Sequence, residues 1–316
     1  RPYTCLAIWC GGNELFNGWS GMDDQSLALR ILNKNCLLED PDRPFLPTSP
    51  LMGMGHGSYV FRNDRGEDVF QIMKRSSFTA YPECGCPGAA DEEALRRMIP
   101  GDEWDFIGPG TAWETHHAIN AWRESSWMDI PVLEYYFGKG LSTKELVTYS
   151  RLLQSIGYQE IFEEARRQAP YCSMVLNWCF NGPWPAAASS SIYTFFGETK
   201  PAYDAIVQAL RPVLFSASFP RFDYTGEDIL PIDIWLLTER DISLAGELQI
   251  VIGQDGRRLE RSVGINVQAA ENRHLCTHQL PLAHLQPGLF TVQLNWTGLE
   301  RTEEPLNSSY TLLCRN

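Results

Sequence analysis

Two glutamates in this sequence stand directly after short strand-like stretches, where a pair of carboxyl groups could act as acid and nucleophile. Glu14 follows residues 3–8, which are apolar and partly β-branched and predict a strand buried on both faces. Glu83 ends residues 76–83, which alternate like a strand, and residues 89–98 then predict a helix. Because chemistry in a barrel of parallel strands sits at the carboxyl ends of the strands, both glutamates are predicted at one barrel mouth.

The first glutamate lies in the motif Trp9-Cys10-Gly11-Gly12-Asn13-Glu14. Its two glycines allow a sharp turn and leave room for a ligand above the strand. The motif resembles the fourth barrel strand of glycoside hydrolase family 2, above all its β-mannosidase-like branch. The resemblance implies that Glu14 is the acid/base and that Asn13 hydrogen-bonds the sugar 2-hydroxyl. The alternative interpretation is a glycine-rich turn with a solvated glutamate.

The second glutamate lies in a stretch that resembles the seventh strand of the same family, which implies that Glu83 is the nucleophile. The sequence departs from the family pattern in having Pro82, where a serine is usual. The alternative interpretation is a surface glutamate at the end of a strand.

A third stretch, residues 174–185, resembles the family's eighth strand, which ends in a tryptophan followed by an asparagine and a Trp-Pro turn. By this resemblance Trp178 forms the floor of the sugar site. Gly182 stands where the family often has an aspartate, so one polar contact to the sugar would be absent. The alternative interpretation of Trp178 is a core aromatic residue.

His56 and Tyr59 are two further candidates for contact with substrate. Both lie in a stretch punctuated by Gly53, Gly55 and Gly57, which predicts a loop. A single histidine in a loop is more often a surface or hydrogen-bonding residue, and this alternative stays open for both.

The fold class predicted is α/β, namely a partial TIM-type (β/α)8 barrel holding strands four to eight, followed by an all-β immunoglobulin-like sandwich. The first domain is predicted to span residues 1–211 as the C-terminal portion of a glycosidase barrel, and the second to span 212–316. Short alternating stretches without helices indicate the sandwich. They are residues 215–219, 232–237, 247–252, 274–280 and 289–294.

Composition limits the partners of the protein. The chain has 316 residues, with 26 basic and 39 acidic side chains and a net charge of −13, which disfavours nucleic acid and anionic membrane surfaces. No run of apolar residues is long enough for a transmembrane helix, so a soluble protein is expected, in a compartment that the sequence leaves open. Neither Cys84-Gly85-Cys86 nor the adjacent His116 and His117 has the spacing of a metal site, so no metal and no cofactor is expected.

The function predicted is that of a retaining exo-β-glycosidase, which hydrolyses terminal β-mannosides or β-galactosides by double displacement with two glutamates. The alternative is a non-catalytic fragment that binds sugar or serves as a scaffold. A (β/α)8 barrel closes with eight strands, and about five are recognisable here. The N-terminal part of the same protein, or another chain, is therefore expected to complete the barrel.

Overall fold

The computed structural model describes residues 3–120, 127–298 and 306–316 of the chain. It shows a mixed α/β protein whose first part is a half-barrel and whose last part consists of β-strands. The helices are α1 Leu27–Glu39, α2 Val69–Arg75, α3 Glu92–Arg96, α4 Ala112–Thr115, α5 Ile130–Phe137, α6 Thr143–Arg167 and α7 Pro201–Ala209.

Five short parallel strands form the half-barrel, which holds as many barrel strands as the sequence indicated. The first two pair with each other, and the other three form a separate sheet in which the strand that contains Glu83 is central. A small antiparallel pair, β5 Gly88–Ala89 and β7 Ala188–Ser189, lies beside them. The parallel strands are β1 Trp9–Cys10, β2 Phe45–Leu46, β3 Met54–His56, β4 Ala80–Cys84 and β6 Val175–Asn177.

The prediction of a buried strand over residues 3–8 is wrong. These residues form turns and irregular backbone and are mostly exposed, and the strand is limited to Trp9 and Cys10. Among the described residues β1 pairs only with β2, so its other edge has no hydrogen-bonding neighbour and its flanking residues have no second face to pack against.

The prediction of a loop around His56 is also wrong, because this histidine ends strand β3. Glycine weakens a strand unless a neighbouring group needs the space of the missing side chain. Here the ring of Phe78 lies where a Cβ of Gly55 would be, 2.4 Å away. The glycine is therefore a packing requirement and not a turn signal.

The longest helix, α6, begins directly after Ser142, at the sequence Ser142-Thr143-Lys144-Glu145, which has the pattern of a helix N-terminus. Ser142 and Glu145 form a capping box, in which each side chain bonds the backbone N–H of the other residue. The helix is buried along most of its length, since it packs against β5 on one side and against the β-rich part of the chain on another. It is the element that joins the two parts.

The β-rich part contains two largely antiparallel sheets. Its strands are β8 Val213–Ser218, β9 Asp223–Thr225, β10 Ile229–Thr238, β11 Ile242–Gln254, β12 Arg257–Ala269, β13 Arg273–Pro281, β14 Gly288–Gly298 and β15 Ser308–Arg315. One sheet has the order β13-β10-β8 and the other β12-β11-β14-β15-β9. Aromatic rings from both sheets meet between them, with the centroids of Phe215 and Trp296 5.1 Å apart.

Buried charges join α6 to these sheets. Arg167 contacts both carboxylate oxygens of Glu160 at 3.1 Å and also lies beside Glu163. Glu163 in turn accepts hydrogen bonds from Ser216 of β8 and Tyr310 of β15. Because each of these charges is buried with a partner, the contacts fix the position of α6 relative to the sheets.

Helices that could cross a membrane are not found in the part of the chain that the structure describes, since none combines sufficient length with sufficient apolarity.

Candidate active site

The two candidate glutamates lie on different elements of the half-barrel. Glu83 is the fourth residue of β4. Glu14 follows β1, and its backbone N–H donates to Ser49 O at 2.7 Å, which ties it to the segment after β2. Glu14 has φ +53°, a left-handed conformation that is uncommon outside glycine and that costs free energy. The turn after β1 thus holds this carboxylate in a strained position.

His56 brings the two carboxylates together. Its Nδ1 lies 3.0 Å from Glu14 Oε1 and 3.5 Å from Glu83 Oε2. Its Nε2 lies 2.9 Å from the Ser49 hydroxyl. A neutral ring that carries its proton on Nδ1 would donate to Glu14 and accept from Ser49. Since His56 Nδ1 contacts both glutamates, Glu14 Oε1 and Glu83 Oε2 lie no farther apart than the sum of their distances to this nitrogen.

Tyr59 contacts the other side of Glu83. Its hydroxyl donates to Glu83 Oε2 at 2.8 Å. Burial raises the pKa of Tyr59 far above its ordinary value, and the hydrogen bond to Glu83 and its charge raise it further. The phenol therefore stays protonated and remains a hydrogen-bond donor to the Glu83 carboxylate.

The two carboxylates differ in their exposure to solvent. The Glu14 side chain is 34% exposed and accepts a bond from Asn17 Nδ2 at 3.2 Å, whereas the Glu83 side chain is 19% exposed. Glu14 therefore has easier access to water and to an incoming group, and Glu83 is held more tightly.

Trp178 follows β6 and lies beside the pair. Its ring meets the Tyr59 ring edge-on, with centroids 5.5 Å apart. The backbone leaves little space here, since a Cβ at Gly85 would lie 2.7 Å from Trp178 O and 2.9 Å from Tyr158 Oη. Glycine at position 85 thus allows β4 and the segment after β6 to approach closely.

Asn13, the remaining candidate, is exposed and lies next to Glu14. Its backbone forms a parallel bridge with Ser49, and within the described residues its side-chain amide has no hydrogen-bond partner. The structure thus brings His56, Tyr59 and Trp178 into contact with one another or with the glutamates, and it leaves the amide of Asn13 without a contact.

Three site residues were not recognised from the sequence. Ser49 and Asn17 hydrogen-bond His56 and Glu14, and the ring of Trp127 lies 6.1 Å from that of Trp178. Ser49 carried a usable signal, because it lies in residues 44–50, a short extended stretch bounded by prolines that is typical of a barrel strand. Trp127 carried none, since it lies in a long connection between strands.

Metal ligands are not clustered in the described ranges, which contain no group of three or more His, Cys, Asp or Glu side chains able to hold an ion. The chemistry open to two neighbouring carboxyl groups such as Glu14 and Glu83 is proton transfer and nucleophilic attack.

Comparison with known proteins shows similarity in structure and not in sequence. No family model and no curated protein matches the sequence. Among solved structures, a β-D-mannosidase from Dictyoglomus thermophilum superimposes with a TM-score of 0.72 and 19% identity, over 98% of this chain and 38% of its own. An exo-chitosanase from Amycolatopsis orientalis superimposes with a TM-score of 0.63 and 14% identity, over 87% of this chain and 33% of its own.

The chain thus spans little more than a third of the length of these enzymes. At such low identity the comparison establishes fold, and the fold agrees with the resemblance that the sequence motifs indicate. The chain is folded like a part of the β-mannosidase-like enzymes of glycoside hydrolase family 2.

Proposed function

We propose that this chain carries the catalytic glutamates of a retaining exo-β-glycosidase that acts on terminal β-mannosides or β-galactosides. The observation that carries the proposal is the contact of His56 Nδ1 with Glu14 and with Glu83. Retaining glycosidases place their two carboxyl groups about 5–5.5 Å apart, and inverting ones about 6.5–9.5 Å apart. One nitrogen within reach of both glutamates supports the shorter separation.

Glu83 is the nucleophile in this proposal. An attacking carboxylate must be ionised, and the Tyr59 hydroxyl supplies a hydrogen bond to the ionised form. The carboxylate attacks the anomeric carbon and forms a glycosyl-enzyme ester. The bond to the leaving oxygen breaks in the same step.

Glu14 is the acid/base. Its proton goes to the leaving oxygen in the first step, and in the second step Glu14 takes a proton from the water that attacks the ester. Its greater exposure suits it to receive that water. Asn13 has a free amide for the sugar 2-hydroxyl, and Trp178 provides an apolar surface for the ring.

The proposal includes the domain organisation expected from the sequence. Residues 1–211 form the C-terminal portion of a (β/α)8 barrel, and residues 212–316 form an immunoglobulin-like sandwich. The parallel order of β3, β4 and β6 supports the first assignment, and the two packed sheets support the second.

A further part of the proposal concerns a partner for the half-barrel. Helix α1 exposes apolar side chains, with Leu27 72% and Leu38 67% accessible to solvent. Exposed apolar surface of this kind marks an interaction site. We expect the N-terminal part of the same protein, or another chain, to cover α1 and β1. Without it the alternative function applies, namely that of an inactive fragment that binds sugar or serves as a scaffold.

The test of the function is Glu83→Gln in the intact protein that contains this chain, with an aryl β-glycoside as substrate. We expect a loss of at least a thousandfold in kcat, because an amide cannot act as the nucleophile. The matched control is Glu271→Gln, an exposed carboxylate in the β-rich part, which should retain full activity. If Glu83→Gln retained most of its turnover, the assignment would be wrong.

A second experiment separates the roles of the two glutamates. Glu14→Ala and Glu83→Ala variants are given azide together with a substrate whose leaving group needs no proton. With Glu14 as acid/base, Glu14→Ala should produce a β-glycosyl azide, because azide replaces water on the glycosyl-enzyme. With Glu83 as nucleophile, Glu83→Ala should produce the α-glycosyl azide by direct attack. The opposite products would reverse the roles.

A further inference from the structure

A cavity lies between the side of α6 and the first residues of α3 and α7. Its volume is about 350 Å³. Sites of this size hold one small molecule. None of the described residues that line it contacts Glu14 or Glu83, so the cavity is separate from the candidate active site.

Arg151 of α6 lines this cavity with a guanidinium that has no partner. Its Nη1 is buried from solvent and forms no hydrogen bond, and within the described residues the guanidinium has no ion pair. Burial lowers the pKa of Arg151 from its ordinary value, and the nearby charge of Asp91 raises it. A buried charge without a partner is costly, so an anion in the cavity would remove much of that cost.

The charges around the cavity leave an excess of positive charge. The Asp91 carboxylate caps the N-terminus of α3 and accepts a backbone N–H there. Glu92 pairs with Arg96 at 3.0 Å and is thereby compensated. Arg151 and Lys144 are then balanced by the single charge of Asp91. The cavity therefore attracts an anion, although the chain as a whole has a net charge of −13.

Lys200, directly before α7, adds positive charge beside Arg151. Its ammonium group is buried and donates to Gly88 O at 2.8 Å and to Ser189 O at 3.1 Å. Burial lowers the pKa of Lys200 to about 7, and the charge of Arg151 is a further cause of this shift. The two cations repel each other, and an anion at Arg151 would offset that repulsion.

The walls of the cavity include several apolar side chains. They belong to Trp104, Val147, Leu152 and Pro201. The Trp104 ring is held in place by Arg96, whose guanidinium carbon lies 3.7 Å from the ring centroid. An ordered apolar wall beside a charged group suits a ligand that has an apolar body and one charged end.

Two hydroxyl groups at the cavity are already used within the protein. Thr148 Oγ1 donates to Lys144 O at 2.8 Å, and Ser155 Oγ donates to Pro201 O at 3.3 Å. The donors left for a ligand are therefore those of Arg151 and Lys144. Such a set suits one anionic group, whereas a sugar would need more hydrogen-bond partners.

From these contacts we infer that the cavity binds a small organic carboxylate, whose charged end pairs with Arg151 and whose apolar body lies against Trp104 and Val147. The fork of a guanidinium matches the two oxygens of a carboxylate. An inorganic anion would leave the apolar walls without a contact. The inference is independent of the proposed function, because binding at this cavity involves neither glutamate.

The test is calorimetric titration of benzoate into the intact protein that contains this chain. We expect benzoate to bind about tenfold or more tightly than benzamide, which has the same ring without the charge. Acetate and inorganic phosphate, which lack the ring, should also bind about tenfold or more weakly than benzoate. Equal binding of benzamide would show that the charge has no role, and equal binding of phosphate that the apolar walls have none; either result would overturn the inference.

Arg151→Met locates the bound anion, because methionine retains an unbranched side chain and removes the charge. Benzoate binding should fall about tenfold or more in this variant. The matched control is Arg258→Met, at an exposed arginine of β12, which should bind benzoate like its parent. Thr148→Trp keeps Arg151 and fills part of the cavity, and it should also weaken benzoate. Unchanged binding in Arg151→Met would overturn the inference, as would the absence of benzoate binding by the parent.

Thermal unfolding separates a binding role of Arg151 from a structural one. Without ligand, Arg151→Met should unfold at no lower temperature than its parent, because it removes a buried charge that has no partner. Benzoate should raise the Tm of the parent and leave that of Arg151→Met unchanged. A clearly lower Tm of the ligand-free variant would show that the protein itself supplies a partner for Arg151, and the inference would be wrong.

Discussion

At the scale of single residues, the position of His56 explains how two like charges can lie close together. Two carboxylates at short distance repel each other, and a polar hydrogen between them offsets that repulsion. The Nδ1 of His56 is that donor group, and the Ser49 hydroxyl at Nε2 orients the ring. The histidine is thus a positioning residue for the glutamates, and its own side chain is nearly inaccessible.

Tyr59 provides a test of what its hydrogen bond to Glu83 contributes to the proposed activity. Tyr59→Phe removes the hydroxyl that donates to Glu83 and retains the ring that contacts Trp178. We expect kcat to fall about 10- to 100-fold, which is the range for loss of one hydrogen bond to a charged group. Tyr171→Phe, at an exposed tyrosine before β6, is the control, and an unchanged kcat in Tyr59→Phe would contradict this role.

Asp129 gives a prediction for stability against pH. Burial raises the pKa of Asp129 from 3.8 to about 6 in the folded protein. The unfolded chain loses this proton at lower pH than the folded protein does, so stability falls as the pH rises from about 4 to about 6. Two pKa units correspond to about 3 kcal/mol.

Asp129→Asn should remove that pH dependence. Asparagine accepts the left-handed backbone that residue 129 adopts and carries no charge. Urea unfolding should therefore show equal stability of variant and parent near pH 4, and a variant more stable by about 2–3 kcal/mol near pH 7. A difference that does not change with pH would show that the carboxyl of Asp129 titrates normally.

At the scale of elements, the close approach of β4 to the segment after β6 is the feature that positions Trp178. A methyl group at position 85 would meet the Trp178 carbonyl and the Tyr158 hydroxyl below van der Waals distance. Gly85→Ala should cost about 1–3 kcal/mol of unfolding free energy and lower activity by displacing Trp178. Gly101→Ala is the control, because a methyl there meets no atom within 4 Å. Equal effects of the two variants would show that the approach has no role.

The elements that could be predicted from the sequence are those with local signals. The start of α6 is set by Ser142 and Glu145, and the alternating stretches after residue 211 are strands because turn residues separate them. Whether residues 3–8 form a buried strand could not be judged from these residues alone. Burial of a strand depends on the elements packed against it, and a local apolar pattern does not specify them. The strand at His56 was hidden by glycines that are required by the ring of Phe78.

The residues of the candidate site likewise divide into those that a local sequence signal indicates and those that it does not. Glu14 and Glu83 follow or end strand-like stretches and could be proposed from their position in the sequence, whereas Trp178 was proposed from the resemblance of residues 174–185 to the family's eighth strand. The shared contact of His56 and the role of Ser49 depend on how β1, β2, β3 and β4 lie side by side, which no local pattern encodes. The stacking of Trp127 against Trp178 likewise joins residues far apart in the chain.

At the scale of the whole molecule, the β-rich part supports the site through α6. Burial raises the pKa values of Glu160 and Glu163, and Arg167 offsets the cost of placing these carboxyls inside the protein. Through them α6 is held against β8 and β15. The same helix carries Tyr158, whose hydroxyl donates to Ser190 O and lies 3.4 Å from the Trp178 carbonyl oxygen. The sheets thus hold the helix that contacts the segment after β6, in which Trp178 lies.

The opposite side of the molecule is open, and this leads to the last prediction. Among the described residues, α1 has only Leu29 buried, while Leu27, Ile31 and Leu38 are exposed. Eight strands are needed to close a barrel of this type, and the described chain has five. If the proposed function is right and a further segment covers α1, we expect residues 1–316 alone to hydrolyse aryl β-glycosides at least a hundredfold more slowly than a protein that includes that segment, because the segment would complete the wall of the pocket.

Hydrogen exchange should show whether another segment covers α1. Amides of α1 should exchange more slowly in the intact protein than in residues 1–316 alone, since a covering segment would suppress opening of the helix. Amides of β10, β11 and β14 serve as the control and should exchange equally in both, because those strands are buried within the β-rich part already. Equal activity of the two proteins, together with equal exchange at α1, would show that residues 1–316 form a complete active site and that the exposed face of α1 has no partner.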